Sequence, residues 1–504
     1  MTRWRLHAAG LVVFFLALAL RVALLPTARF GGDEALFFNI GMDIVELKHW
    51  PLLGTQITDG AGRLPGPTFL YLMALPLLVH RGPEAQFLFV EVLGAITATL
   101  FWHAMRRPFG ERGALYAGVL FALSPWTALY ADRTWNPNVL PFVVTLALLA
   151  ALRVRERPES RWLVALLPLV AVMAHLHMSA PVAWAALLVV AWPSVRRWPR
   201  RHLVIGLALC ALLYLPLIGH ELATGFGNTK NILAETVGAK ERHPWSFLWI
   251  PVYALRFLTL DVTYHELTGY WGGPNELACL KAALVGSPPR PFHPLRALAL
   301  GASIALALTA IVSALRQRND DAAPGAARAP LSWAFAAGLV ANLLLLGAAG
   351  KQVFGHYVNN LLPFVFWVYA AWGARALARP RSVGGVAALA LGAIFCLGGV
   401  EATLAVSRRV DGRIGLAVHR RTLEQIRADG EAEGAPSSSV RLDFGYRSNL
   451  YDWHSYATRA MRFPIHFDKG APRRYLLLER GRPAPAGAIA GPLDVGYADL
   501  YRLR

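Results

Sequence analysis

Apolar residues recur along this 504-residue chain in runs interrupted by short polar segments. The runs are about 17–23 residues long, enough for a helix to span a hydrocarbon core of ~30 Å. They fall near residues 7–26, 84–105, 113–130, 138–152, 162–176, 181–195, 203–219, 294–315, 331–349, 358–378 and 384–406. This pattern predicts an all-α polytopic membrane protein with about eleven transmembrane helices. The first run follows a basic N-terminus but lacks a small-residue cleavage site, so it is read as the first span and not as a removable leader.

The run at 64–79 breaks the pattern, because Pro65, Pro67 and Pro76 interrupt it. Each proline in an ordinary helix interior costs about 3 kcal/mol. Counting this run as a span reverses the side of every later loop, and arginine placement decides between the two counts. If 64–79 does not cross, the basic segments 106–112, 153–161, 196–201, 316–328 and 375–381 all share the side of the N-terminus, as the positive-inside rule requires. The run is therefore expected to lie as an interfacial helix on the outer face. The loops 27–83, 131–138, 175–180, 220–293 and 350–357 then lie outside, and they hold nearly all the chemically useful polar residues. The active surface is expected there, extracytoplasmic, on a protein of the cytoplasmic membrane.

Composition agrees with this class. The chain is 55% hydrophobic and 16% charged, with a mean hydropathy of +0.40, against about a quarter charged in soluble domains. A net charge of +19 would suit nucleic acid, but the arginines sit in short loops between apolar runs, so no nucleic-acid partner is expected. Cys210, Cys279 and Cys396 have no metal-ligand spacing. After residue 406 charge rises and long apolar runs end. A helix at 416–428 and strand-like patches at 440–444, 475–479 and 495–503 predict a small α+β domain over 407–504, also extracytoplasmic, beside a membrane domain of 1–406. No paired-half repeat of the transporter kind is visible.

Four polar constellations stand out on the outer side. Asp33 and Glu34 follow a glycine pair directly after the first span. They suit the first turn of a helix, and one of them also suits a general base. Asp132, Arg133, Trp135 and Asn136 crowd the loop at 131–138, where Pro137 is a helix-start signal. They are either interfacial anchors or groups aimed at Asp33. His175 and His177 lack a third ligand at metal spacing, so packing and hydrogen bonding is the expected role. His220 with Glu221 is a weaker candidate of the same kind. Lys351, His356 and Tyr357, with Asn359 and Asn360, suit an anionic phosphate headgroup, and Arg63 is a further cation at that level.

Taken together, these motifs resemble a known superfamily. The Gly-Asp33-Glu34-Ala-x-x-Phe motif, the Pro-rich interfacial segment, the Trp135-Asn136-Pro137-Asn138 turn and His356-Tyr357 before a span are similar to bacterial protein O-mannosyltransferases and aminoarabinose transferases. The resemblance covers residues 7–406 and is most specific in the first 140; the tail matches nothing familiar. It implies a GT-C fold with interfacial helices in the first outer loop, and a sugar donor linked to polyprenyl phosphate. The acceptor is a glycan, lipid or protein. Asp33 is implied as the residue that binds or deprotonates the acceptor hydroxyl, with Glu34 its motif neighbour. Asn136 stands where aminoarabinose transferases have an Asp, which weakens any metal claim. The resemblance names no certain cofactor and leaves a divalent metal open. Arg63 is an approximate substitute for a phosphate-binding Lys. The implied reaction is an inverting displacement in which Arg63, Lys351 and, more loosely, His356 stabilise the leaving phosphate.

Two other classes fit a polytopic chain: a transporter or flippase of lipid-linked saccharides, and a polymerase or ligase. The first places ionisable groups within broken spans, and apart from Arg21 the spans look nearly free of charge. The second uses a large late loop, for which 220–293 qualifies.

Overall fold

The computed structural model describes residues 3–57, 61–131, 133–237, 245–262, 294–316, 328–349, 353–408, 414–434, 439–445 and 448–504. Asp132, Lys351 and Cys279 lie outside the described residues, as do 238–244 and 263–293 of the large predicted loop.

Helices dominate, and each apolar run is helical where predicted. They begin α1 Arg3–Val22, α2 Gly32–Val45, α3 Thr68–Ala74, α4 Pro83–Leu123 and α5 Pro125–Ala131. Next come α6 Asn136–Glu156, α7 Trp162–Leu176, α8 Ala180–Ala191, α9 Arg200–Thr224 and α10 Gly227–Val237. Among the described residues six helices are long and apolar enough to cross a membrane: His7–Thr27, α4, α6, α9, Pro294–Arg316 and Val383–Val406. The other predicted spans form shorter helices, such as the 15 residues of α7 and of Leu362–Ala376. At 1.5 Å per residue these reach about 23 Å.

The 41 residues of α4 are two helices folded back on each other. Twenty residues of straight helix would hold Phe101 and Phe121 about 30 Å apart, yet their rings stack 4.8 Å apart. The reversal falls at Gly110, whose φ of 70° and ψ of 174° belong to a region open essentially to glycine alone. Nothing lies within 4 Å of a Cβ placed there, so the need is conformational and not spatial. The two predicted runs at 84–105 and 113–130 are the arms of this hairpin.

One expectation is corrected within the bundle. Besides Arg21, Glu91 of α4 is fully buried. Arg21 donates to the carbonyls of Ala17, Ala122 and Thr127 at 2.9–3.0 Å, where the break at Ser124 frees backbone oxygens. A buried guanidinium is stable there because carbonyls and the nearby Glu91 offset its desolvation.

The Pro-bearing segment is short and broken. α3 runs only from Thr68 to Ala74 before a 3-10 turn at Leu75–Leu78. It packs on α2 and α7 and buries Phe69, Leu70, Met73 and Leu77. Eleven helical residues rise about 16 Å, too few to cross a bilayer.

The tail is an α+β unit with the helix Leu416–Ala432 and a five-stranded sheet ordered β2-β1-β3-β5-β4. The strands are β1 Ser439–Phe444, β2 His466–Phe467, β3 Arg473–Glu479, β4 Ala488–Asp494 and β5 Ala498–Leu503. β1 pairs in parallel with β2 and β3, and β5 pairs antiparallel with β3 and β4. Three of the strands were anticipated. β4 contains Gly491 and Pro492 and so reads as loop; it survives as an edge strand, where a missing N–H costs no ladder bond.

This unit grips α2. Phe30, Ala35, Phe38 and Met42 share one buried cluster with Leu416, Leu423, Trp453 and Tyr456. Asn39 donates to Tyr451 and Ser455, and Arg459 pairs with Asp43 at 2.8 Å.

Candidate active site

The site grows from the first turn of α2. Gly31 is extended at its N-cap, and the side chains of Arg29 and Glu34 flank the space a Cβ would fill there, at 3.2 and 3.3 Å. A larger residue would part these two side chains. Glu34 turns back to accept the Gly31 N–H at 3.2 Å, half of a capping box. Its other oxygen accepts two bonds from Arg133, at 2.7 Å from Nε and 2.6 Å from Nη2. Glu34 is 1% exposed and Arg133 8%. The pair is thus desolvated and mutually dependent.

Asp33 points the other way, as adjacent helical residues must. Its carboxylate is exposed and accepts a 2.8 Å hydrogen bond from Trp135 Nε1. The crowded surround and then Glu34's charge raise its pKa above the ordinary 3.8, while Arg133, the Trp135 bond and Arg29 pull it down. The result is a carboxylate of increased basicity, held in place by an indole.

Trp135 is the hub. The Arg133 guanidinium stacks 4.2 Å from its ring centroid, and the His356 ring lies 4.7 Å away. The Asn136-Pro137 start of α6 sets this position: Trp135 is extended, α6 begins at the next residue, and Asn136 donates to the Leu176 carbonyl at 2.6 Å. Asn136 is therefore occupied in tying α6 to α7.

His356 and Tyr357 sit on the 3-10 turn Gly355–Leu361, packed on each other at 4.6 Å and on His177 at 5.8 and 5.1 Å. Asn360 anchors this turn to Ser179 at 2.9 Å. Burial, then His177 and Arg133, holds His356 well below the usual imidazole pKa, and burial alone brings His177 down to about 4. That direction favours the uncharged ring of His356. Its buried Nδ1 has no hydrogen-bond partner in the structure.

Arg63 is exposed, and its backbone is clamped to α10 by Asn228 at 2.8 and 3.1 Å. His175 shares a 2.8 Å bond with Thr68 Oγ1 and His177 one of 2.9 Å with Ser179, the structural roles expected of them. Among the described residues no group of three or more His, Cys, Asp or Glu is placed to hold a metal ion.

Two residues escaped the sequence reading. Arg29 lies beside Glu34 and acts on Asp33. Asp452, from a short helix of the tail, is 5% exposed, and its Oδ1 has no hydrogen-bond partner. Burial first, then the charges of Glu34 and Asp33 against that of Arg29, pushes Asp452 up to about 7. Some 420 residues separate it from Asp33, so local patterning carries no signal for it. Arg29 was four residues upstream of the acidic pair and could have been found as its nearest cation.

The geometry has counterparts elsewhere. The family model for dolichyl-phosphate-mannose-protein mannosyltransferase matches residues 65–220. No curated protein matches the chain. The fold is similar to that of ArnT from Cupriavidus metallidurans bound to undecaprenyl phosphate, with a TM-score of 0.51, 13% identity, and coverage of 98% of this chain and 96% of that one. The apo state of ArnT gives 0.50, 13%, and 98% of each chain. An Archaeoglobus fulgidus oligosaccharyltransferase covers 90% of this chain and 64% of its own at 15% identity, with a TM-score of 0.43. The likeness to ArnT runs beyond residue 406 into the tail, further than the sequence resemblance reached. The GT-C fold and the resemblance to the mannosyltransferase and aminoarabinose transferase superfamily thus hold.

Proposed function

We propose that this protein is a membrane glycosyltransferase that moves a sugar from a polyprenyl-phosphate donor to an acceptor hydroxyl, with Asp33 as general base. The observation that carries it is the hydrogen bond from Trp135 to Asp33, with the His356 ring 4.7 Å from the same indole. Three loops distant in sequence meet at one polar cup, as a site facing one compartment requires.

In this reading the acceptor oxygen attacks the anomeric carbon and gives its proton to Asp33. The bond from that carbon to the phosphate oxygen breaks, and the electron pair leaves on the phosphate. Raised basicity suits Asp33 to the proton transfer. Glu34, buried against Arg133, is a positioning residue and not a second base. The unpartnered His356 Nδ1 and the Tyr357 hydroxyl suit phosphate oxygens, with cation help from Arg63 and Lys351. Asp132 keeps the same proposed binding role. The site and tail face outward from the cytoplasmic membrane, consistent with the arginine-rich segments at the other ends of the helices.

The test compares envelope lipids and proteins by mass spectrometry in cells with the protein, without it, and with Asp33→Asn. The variant should insert at the normal level and lose transfer by about 10²–10⁴-fold. Full transfer by Asp33→Asn removes the assignment. A translocated lipid-linked saccharide with no new glycoside would favour a flippase.

A further inference from the structure

A second polar centre lies at the other end of α6. Asn136 opens that helix beside the acidic cup, and Arg153 comes 17 residues later, about 26 Å along the axis. There a cavity of about 420 Å³ is lined by His103, Arg106, Arg107, Glu111 and Arg153. These residues come from the turn of the α4 hairpin and the last turns of α6. Three guanidiniums face one carboxylate, so the lining carries a charge of +2 with His103 neutral.

The hydrogen bonding within this lining is incomplete. Arg106 Nη1 lies 3.3 Å from His103 Nδ1, and Arg153 Nη2 lies 2.9 Å from His103 Nε2. A neutral imidazole has one acceptor nitrogen and one N–H. Both ring nitrogens cannot accept, so one arginine always sets N–H against N–H. A protonated ring makes both contacts repulsive. Glu111 accepts from Arg106 at 2.7 Å, and Arg107 pairs with Glu156 beyond the lining. Arg153 has no carboxylate of its own among these contacts. Glu111 Oε1 is buried without a hydrogen-bond partner, yet Arg153 meets only the His103 ring among these contacts, and an anionic oxygen in the cavity would give it an acceptor.

We propose that this cavity binds a phosphoryl anion. Guanidinium forks match phosphate oxygens, and basic pockets between helices at a membrane face hold phospholipid headgroups. Two sources share the chemistry: the headgroup of an anionic lipid, and free phosphate. The mannosyltransferase-like site at the far end of α6 does not enter the argument, so the proposal stands or falls separately from the function above.

The test is thermal melting and native mass spectrometry of the purified full chain in detergent. Three additions are compared at equal ionic strength: phosphatidylglycerol, phosphatidylcholine and inorganic phosphate, with chloride as baseline. Stabilisation and retained adducts with phosphatidylglycerol alone identify a lipid headgroup site; the same response to inorganic phosphate identifies a free phosphoryl site. Arg153→Gln should weaken that binding about tenfold or more while melting normally in phosphatidylcholine. Equal responses to phosphatidylglycerol, phosphatidylcholine and chloride, with none to phosphate, overturn the proposal. So does undiminished binding by a folded Arg153→Gln. The wild-type comparison needs no variant, so misfolding of Arg153→Gln leaves the proposal open to refutation.

Discussion

Two similar ion pairs lie near the opposite ends of α6, in different settings. At one end Arg133 and Glu34 meet at 2.6 Å with side chains 9% and 1% exposed. At the other Arg106 and Glu111 meet at 2.7 Å with side chains 22% and 20% exposed. Distance is shared and burial is not. In the first, removing one partner strands a charge away from water. In the second, water reaches both side chains and screens whatever is lost. Geometry alone therefore misjudges which pair the fold depends on.

Substitution of the two glutamates breaks or sharpens this contrast. Glu34→Gln should lower stability by about 3–5 kcal/mol, the usual cost of orphaning one partner of a buried pair, measured by thermal melting of the purified protein. If Glu34→Gln melts like wild type, the burial argument fails. The matching change at the basic end, Glu111→Gln, is expected to cost less than about 1 kcal/mol.

Intermediate effects come from the groups around Asp33. Trp135→Phe leaves a smaller aromatic ring beside Arg133 and His356 and removes the N–H to Asp33. Transfer should fall about tenfold. Because that bond favours the ionised carboxylate, its loss raises Asp33's pKa further, and the rising limb of the pH–rate curve should move to higher pH. A limb that stays in place would mean the bond does not act on the base.

Asp452 gives a smaller effect with a definite sign. Its folded pKa of about 7 lies above the ordinary 3.8. A carboxyl raised in this way adds stability below its unfolded pKa and loses it as pH rises toward 7. Wild-type melting temperature should thus decline between about pH 4 and 7, and Asp452→Asn should flatten that decline. An unchanged slope would remove Asp452 from the acidic cup.

Much of this was legible in the residues. The eleven apolar runs became helices because each can bury backbone polar groups only in its own hydrogen bonds. The Asn136-Pro137 signal started α6 where it should, and three strands of the tail formed at the predicted patches. Glu34 was harder, because a motif shows two adjacent acids and not which of them is buried. The burial of His356 against His177 and Tyr357 was likewise invisible in the sequence. β4 looked like a loop, because an edge strand tolerates the residues that a central strand excludes.

The sequence by itself determined the helical bundle, the placing of basic segments between apolar runs, and the identity of the acidic pair. Those follow from local hydropathy and spacing, which each segment carries within itself. Only the tertiary structure decided that Asp33 is exposed against the Trp135 indole while Glu34 is locked on Arg133, that the tail brings Asp452 to the cup, and that His103 faces two arginines. Each of these depends on groups 50 to 420 residues apart meeting in a medium poorer in water, and the strength of a charge there is set by its neighbours in space.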